Sequence, residues 1–434
     1  MSRRRYAFVG TGHRAQMYFD SLLGAHNAVG VPVALCDTNP TRVEYYQRLF
    51  TAAGGSGPLP VYPAERYAAM LRETRPDAVV VTSVDATHAD YAVHALDNGV
   101  GAIVEKPLTT DAEGCARISE AARRSSAPLV VTFNYRYSPR NSAVKRLLSE
   151  GAIGRVTAVH FEWVLDTVHG ADYFRRWHRE KANSGGLFVH KASHHFDLVN
   201  WWLDDTADVV TAHGGLRFYG DAEPPAERAP FGMDLAADPR LNALYGGAAR
   251  DDGYHRDQDV FGPGVTIEDT MAALVRYRRG AVLTYSLVAY APWEGYRVSI
   301  TGTGGRLELE VVERSSVPAG DASELVRWKA VDPSAVDDGN ADQVRASGTT
   351  LLVQRHWSAA EEVALPDAGP GHGGGDRLLL DDLFQPGARA DPLGRAAGWL
   401  DGVRAVLVGA AANESMARGG EPVRVQLPGV EEAA

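Results

Sequence analysis

Four residues of buried-strand character, Tyr6-Ala7-Phe8-Val9, run directly into Gly10-Thr11-Gly12-His13-Arg14-Ala15, and a helical pattern then continues to Leu23. A strand that turns this sharply into a helix narrows the possible folds, because such a unit needs further parallel strands beside it to cover its core. Each small residue has a physical reason. Gly10 permits the tight turn, Gly12 lets the backbone approach phosphate groups, and Ala15 lets helix and strand pack closely. The helix N-terminus adds free N–H groups and the positive end of a dipole. Short glycine motifs recur in ordinary turns, but a strand before and a helix after point this one to a dinucleotide.

The alternation continues through the first third of the chain. Val31–Cys36 reads as a second strand, and Pro40 opens a helix behind it. Ala78–Val81 is a buried strand, and a helix over His88–Asn98 is closed by Gly99. Ala102–Val104 and Leu129–Phe133 are further strands, with a helix over Asp111–Arg124 between them. The reading is a Rossmann-type α/β domain over residues 1–140, a parallel sheet with helices on both faces. Asp37, at the end of the second strand, has the spacing of the acid that bonds an adenosine ribose. A carboxylate there repels a 2′-phosphate and favours NAD; Arg42 can offset that charge, so NADP stays open. Asp37 also suits an Asx-turn before Asn39-Pro40, and the two readings are compatible.

Past about residue 150 the pattern changes. Val156–Trp163, Val265–Tyr277, Gly280–Tyr290, Tyr296–Thr301 and Arg306–Val311 read as longer strands, with turns at Arg279-Gly280 and Thr303-Gly304-Gly305. Residues 141–434 are expected to form an α+β domain with a large, mostly antiparallel open sheet that binds substrate and joins copies into a homodimer or homotetramer. Segments 219–264 and 312–375, rich in Gly, Pro, Asp and Ala, read as loops or insertions. A late helix over Leu393–Met416 and a closing strand over Pro422–Val425 return to the core.

Composition limits the partners. With 434 residues, 45% of them hydrophobic, the chain can fill two or three cores. A net charge of −11, with no basic block beyond Arg3-Arg4-Arg5, argues against nucleic acid and against an anionic membrane. No apolar run approaches the roughly 18 residues of a membrane helix. The N-terminal arginines lack the apolar stretch an export signal needs. Cys36 and Cys115 sit in buried-pattern segments, which suits reduced thiols in a cytoplasmic protein.

Lysine occurs at only five positions, and two of them stand in unusual company: Glu105-Lys106-Pro107 after a strand, and His190-Lys191-Ala192-Ser193-His194-His195-Phe196-Asp197. With Gly10-Thr11-Gly12, Val84–His88 before a helix, Asn134-Tyr135-Arg136, Gly185-Gly186 and Gly302-Thr303-Gly304-Gly305, these segments give the chain its resemblance to a known family. It resembles the glucose–fructose oxidoreductase / inositol 2-dehydrogenase / MocA (Gfo/Idh/MocA) family of nicotinamide-dependent sugar and cyclitol enzymes. The resemblance implies a Rossmann domain, a second α/β domain with an open sheet, and a site in the cleft between them. It also implies that Lys106 lies near the nicotinamide and the reacting hydroxyl. The family's later helix usually carries Asp, then His four residues on, then Asp three further. Here those positions hold His190, His194 and Asp197, and the departure at His190 bears on the path of the proton.

Oxidising a carbinol removes a hydride from carbon and a proton from oxygen, and a group with pKa near 7 suits the proton. Helical spacing puts His190, His194, Asp197 and Trp201 on one face, with Asp197 a turn beyond His194 and able to orient it. The assignment is His194 as general acid/base, Lys106 as polariser and proton relay, and His190 as a catalytic-site substrate contact. Lys191 points about 100° away from His190 on an ideal helix. Cofactor contacts are expected from Gly10, Thr11, Gly12, His13, Arg14, Asp37, Arg42, Ser83, His88, Glu105, Lys106 and Asn134. Substrate contacts are expected from Lys106, Tyr135, Arg136, Tyr173, His190, Lys191, His194 and Asp197, and from His372 in Gly371–Asp376. No metal is expected: Lys191 stands where a zinc-protease helix needs glutamate, and a third ligand is not evident.

Three functions are compatible with these residues. The first is NAD-dependent oxidation of a ring carbinol in a sugar, cyclitol or sugar derivative. The second is a redox-neutral glycosidase, lyase or epimerase that holds NAD tightly. The third is a non-catalytic NAD-binding regulator.

Overall fold

The structure is a computed structural model that describes residues 3–221, 231–317, 344–366 and 374–429. Strand β1 (Arg4–Val9) ends at Gly10, whose φ of +82° lies where L side chains rarely go. A Cβ there would sit 2.6 Å from the Ser83 backbone, so glycine is required on both counts. Helix α1 (Ala15–Leu23) follows and buries Tyr18, Phe19 and Leu22. Strands β2 (Gly30–Cys36), β3 (Val61–Tyr62), β4 (Ala78–Val81), β5 (Gly101–Val104) and β6 (Leu129–Val131) join β1 in one parallel sheet, in the order β6-β5-β4-β1-β2-β3.

Alternation along β1 makes this a three-layer unit. Ala7 and Val9 pack with Met70, Leu71, Ala89 and Ile118 on one face. Tyr6 and Phe8 pack with Tyr18, Phe19 and Tyr46 on the other. The intervening helices α2 (Pro40–Ala52), α3 (Tyr67–Thr74), α4 (His88–Asp97) and α5 (Ala112–Arg124) supply those layers. Two of them start on side-chain caps: Asn39 accepts from the Arg42 N–H and Asp111 from the Gly114 N–H. The strand order reverses direction between β1 and β4, which opens a crevice at the C-terminal ends of the strands.

Helix α6 (Pro139–Ser149) leads to a second sheet of nine strands built around β7 (Val156–Asp166). After β7 come α7 (Thr167–Arg175), the short helices α8 (Lys181–Ser184) and α9 (Leu187–His190), and α10 (Ser193–Leu203). The other strands are β8 (Ala207–Gly215), β9 (Thr270–Tyr277), β10 (Val282–Ala291), β11 (Glu294–Gly302), β12 (Gly305–Arg314), β13 (Gly348–Arg355), β14 (Glu361–Glu362) and β16 (Val423–Arg424). Among the described residues of this sheet only the β7–β10 pair is parallel, and the other pairings are antiparallel. Burial alternates strictly along β9 and nearly so along β10, so one face is covered and one is open.

Several sequence expectations shift. The segment 312–375, read as a loop, contains β13, which pairs with Gly305–Val312 of β12. Near this edge of the sheet its Thr, Gln and Arg residues dilute the apolar signal. The His-rich segment is not one helix: α9 ends at His190, and α10 starts at Ser193. The late helix begins at Trp399, because Ala397–Gly398 (β15) first pairs antiparallel with β6 at the edge of the first sheet. Helix Gly375–Phe384 also returns to the first sheet, burying Leu379, Leu383 and Phe384 beside Tyr6 and Phe8. Within 219–264 the described residues form short helical turns between Leu235 and Asp252 rather than open loop. Among the described residues no helix is long and apolar enough to cross a membrane.

Candidate active site

A cavity of about 430 Å³ lies at the crevice of the first sheet. Gly10, Gly12, His13 and Arg14 after β1, Asp37 after β2, Ser83 and Asp85 after β4, and Glu105 and Lys106 after β5 form one wall. Tyr173, His178, His190, Lys191 and His194 form the opposite wall, and Tyr245, Asp252, Tyr254 and Arg256 cover it. The sequence therefore brings most of its expected site residues together.

The cofactor end is tied by Asp37. One carboxylate oxygen accepts from the Thr11 N–H (2.6 Å) and hydroxyl (2.8 Å), and the other accepts from the Asn39 N–H (2.8 Å) and Arg42 Nη2 (3.2 Å). The Asx-turn reading of Asp37 thus holds, and the residue still lines the cavity. Thr11 serves the turn through that carboxylate. Arg42 also donates to Asp252 at 2.7 Å, so two acids balance its charge. The His13 N–H, at the start of α1, donates to the Tyr245 hydroxyl at 2.8 Å.

At the other end Glu105 accepts from Arg14 Nε (2.5 Å), the Tyr18 hydroxyl (2.5 Å) and the Lys106 N–H (3.0 Å). Burial opposes the Glu105 charge, but Arg14, Tyr18 and Lys106 outweigh it and hold the carboxyl below its ordinary range. His88 links the neighbouring loops, with Nδ1 2.8 Å from the Pro107 carbonyl and Nε2 3.2 Å from that of Ser83. A neutral ring donates to one of these at a time. Burial lowers its pKa, which keeps it neutral.

The departure from the family pattern, His190, sits at the centre. Its Nδ1 is hydrogen-bonded to the Asp85 carboxylate, and its Nε2 lies 3.3 Å from Lys106 Nζ. Lys106 Nζ also donates to the His190 carbonyl at 3.2 Å. Burial drives all three groups toward neutrality. It raises Asp85, lowers His190 with help from the Lys106 charge, and brings Lys106 down to about 8 against the upward pull of Asp85 and Glu105. With Nδ1–H given to Asp85, Nε2 presents a lone pair to Lys106.

Lys191 Nζ lies 4.6 Å above the Trp163 ring and 3.4 Å from the Tyr135 hydroxyl. Tyr135 stacks on His194 with ring centroids 4.5 Å apart. The break after α9 lets His190 and His194 both line the cavity without sharing one continuous helical face.

Three expected residues point elsewhere. Asp197 is clamped by Arg136 through both oxygens, at 2.8 and 2.6 Å, so both oxygens are committed to a buried ion pair. Arg136 borders a separate cavity of about 230 Å³ with Asn200, Trp201 and Asp401. Asn134 donates to Asp376 at 2.6 Å, at the start of helix Gly375–Phe384. Asn134 and Arg136 lie in the tight turn over Asn134–Tyr137, which splays its side chains toward different elements, and Asp197 on α10 is taken up by Arg136. His372 lies outside the described residues.

Sequence reasoning did not single out Asp85 or Tyr245; Asp172, Arg176, His178 and Arg256 fall in the polar segments 166–180 and 254–269, which the sequence offers as sources of substrate contacts, and all six line the cavity. Asp85 falls inside the Val84–His88 match and was within reach. Arg175-Arg176-Trp177-His178-Arg179, dense in cations and aromatics, was a visible signal. Tyr245 had none.

Family models described as "Oxidoreductase family, NAD-binding Rossmann fold" and "Oxidoreductase family, C-terminal alpha/beta domain" match residues 4–133 and 145–425. Putative oxidoreductase YteT of Bacillus subtilis (strain 168) is 33% identical over 423 residues, 90% of each chain. An inositol 2-dehydrogenase of Rhizobium meliloti (strain 1021) is 29% identical over 222 residues, 50% of this chain and 61% of that one. A levoglucosan dehydrogenase solved with NADH and levoglucosan aligns with a TM-score of 0.65 at 17% identity, covering 98% of this chain and 100% of the other. The chain belongs to the Gfo/Idh/MocA oxidoreductase family, and its cofactor is NAD. The cradle fits that cofactor: Gly10 and Gly12 line the cavity without side chains, and the His13 N–H at the start of α1 points at the Tyr245 hydroxyl on the same cavity.

Proposed function

We propose that this enzyme moves a hydride between a ring carbinol of a sugar, cyclitol or sugar derivative and nicotinamide. The observation that carries the reading is the Asp85–His190–Lys106 chain in the cavity. Bound NAD supplies the hydride acceptor. Gly10, Gly12, His13 and Arg14 hold its phosphates. The acid pair around Arg42 disfavours a 2′-phosphate and so favours NAD over NADP.

The protein's own part is the proton. Lys106, with its pKa near 8, is partly a free amine at neutral pH and takes the hydroxyl proton as the carbonyl forms. His190 Nε2, kept open by the Nδ1 bond to Asp85, accepts a hydrogen bond from the resulting ammonium and orients it. In this reading His190, not His194, is the partner of Lys106, and His194 and Tyr173 shape the substrate wall. The inositol 2-dehydrogenase relatives and the levoglucosan dehydrogenase fold support a polyol substrate.

The test is NADH absorbance across a panel of cyclitols, aldoses and sugar derivatives, with Lys106→Ala beside the wild type. Substrate-dependent NADH that the variant loses supports the reading. Equal rates in both proteins, or no NADH from any polyol, would sink it.

One observation favours a second reading, redox-neutral chemistry on tightly held NAD. The segment 239–256 caps the cofactor cradle through Asn39 to the Ala248 carbonyl (2.8 Å) and Arg42 to Asp252, which would slow release. Substrate consumed without net NADH, on protein that retains NAD through purification, would select it.

A further inference from the structure

We propose that the substrate carries a carboxylate and that Arg176, Arg256 and His178 form the subsite that holds it. The proposal rests on the reading of the cavity as a carbohydrate site and adds the substrate's charge.

The argument begins with an imbalance. Asp172 is approached by Arg256 Nη1 at 2.8 Å, by Arg176 Nε at 3.3 Å and by Arg175 Nη1 at 3.8 Å. Three guanidinium groups thus share one carboxylate. The Asp172, Arg175 and Arg256 side chains are at most 5% exposed, and Arg176 is 22% exposed. Arginine stays charged when buried, so this cluster cannot relieve itself by losing protons. A surplus of positive charge held away from water is unfavourable unless an anion completes it. The donors are also poorly used: among the described residues Arg175 Nε makes no hydrogen bond, and Arg176 Nε faces Asp172 without the geometry of one.

His178 supplies the independent observation. It is 4% exposed and lines the cavity, and its buried Nδ1 has no hydrogen-bond partner. Its ring is fixed between Trp177, at 3.6 Å, and His190, at 4.2 Å between centroids. The charged groups that bear on it are Arg176, Lys106 and Arg256, all cations. Arg176 Nη2 approaches His178 Nε2 at 3.5 Å and can only donate, so the ring carries its proton on Nδ1, a buried donor that lacks an acceptor among the described residues.

Position selects the class of anion. His178 packs on His190, and His190 Nε2 is 3.3 Å from Lys106 Nζ. The subsite therefore adjoins the reacting lysine through His190. A planar carboxylate matches the guanidinium fork and leaves room for a third donor from imidazole. A uronic acid or its glycoside meets this description. In the reaction its ring carbinol loses hydride to NAD and its hydroxyl proton to Lys106, while the carboxylate is bound and unchanged.

The cofactor's diphosphate is the other anion within reach, and one experiment separates the two. Wild type, Arg256→Gln and Arg176→Gln are assayed with glucuronate and galacturonate against glucose and galactose, each also as the methyl glycoside. NADH affinity is measured by fluorescence titration. A charge-assisted contact of this kind corresponds to roughly a 10- to 100-fold effect. Wild type should favour the acids by about that factor, the variants should lose the preference through KM, and NADH affinity should stay within about threefold. In wild type, KM for the acids should also rise with salt while KM for neutral sugars does not, a readout independent of any variant's folding.

Equal use of acid and neutral sugars by wild type overturns the proposal. So does weaker NADH binding in the variants with the acid preference intact, which would assign the arginines to the diphosphate. If no sugar yields NADH but glucuronate raises the melting temperature of wild type and not of Arg256→Gln, the subsite stands and the oxidoreductase reading fails.

Discussion

Lys106 is where the residue scale decides the chemistry. Desolvation brings its ammonium down to about 8, while Asp85 and Glu105 pull the other way. A proton acceptor works in its free form, so oxidation should rise with pH through a midpoint near 8 and level off above it. Because the Asp85 charge raises the lysine's pKa, Asp85→Asn should move that midpoint to lower pH. It should also cut the plateau, since an amide no longer enforces the His190 tautomer. A pH profile of kcat/KM on both proteins checks this, and an unmoved midpoint would count against the coupling. Lys106→Ala should lose about 10²- to 10⁴-fold in rate with NADH affinity unchanged. Lys106→Arg should not restore it, because a guanidinium does not give up its proton at these pH values. His190→Ala should be more damaging than His194→Ala, and the opposite order would return the general base to His194. The sequence made Lys106 legible through its rarity and its strand-end position. The exchange of roles proposed for the two histidines was not legible. It depends on Asp85, which meets His190 only once β4 and α9 are folded together.

At the scale of elements, the same physics sorts residues that sequence spacing had grouped. Arg136 and Asp197 were read as substrate contacts, yet they bolt the turn after β6 to α10 through a bidentate pair with side-chain exposures of 3% and 1%. Removing one member strands a buried charge, so Asp197→Ala should cost about 3–5 kcal/mol of stability. Replacing both by apolar residues should cost much less. Urea denaturation of the single and double variants measures this. A large KM change with stability intact would restore the substrate role. Element legibility followed burial. β4 and β5 are buried throughout, so Ala-Val-Val-Val and Ala-Ile-Val announce themselves between turn residues. β13 was missed because its Gly, Thr, Gln and Arg residues dilute the pattern. The break between α9 and α10 is equally invisible to periodicity, since His190 and His194 keep helical spacing across it. Yet that break is what turns His190 toward Asp85 and Lys106.

Across the whole molecule, the chain closes on its own cofactor cradle. Segment 239–256 reaches back over some two hundred positions of sequence to touch the first domain at His13, Asn39, Thr41 and Arg42. Composition labelled this stretch an insertion, and nothing local in it says which surface it will cover. Its most pointed contact is the Tyr245 hydroxyl, which accepts the His13 N–H that α1 would otherwise present to a diphosphate. The hydroxyl and the cofactor therefore compete for one donor. Tyr245→Phe keeps the ring and removes the acceptor. A neutral hydrogen bond contributes about 1 kcal/mol net, so the variant should take up NADH roughly fivefold faster. Its release should be unchanged, because in the bound state the cofactor already occupies that donor. Stopped-flow NADH fluorescence separates the two rate constants. An association rate equal to wild type would mean that the cover moves aside before the cofactor arrives, and that this hydrogen bond does not control entry.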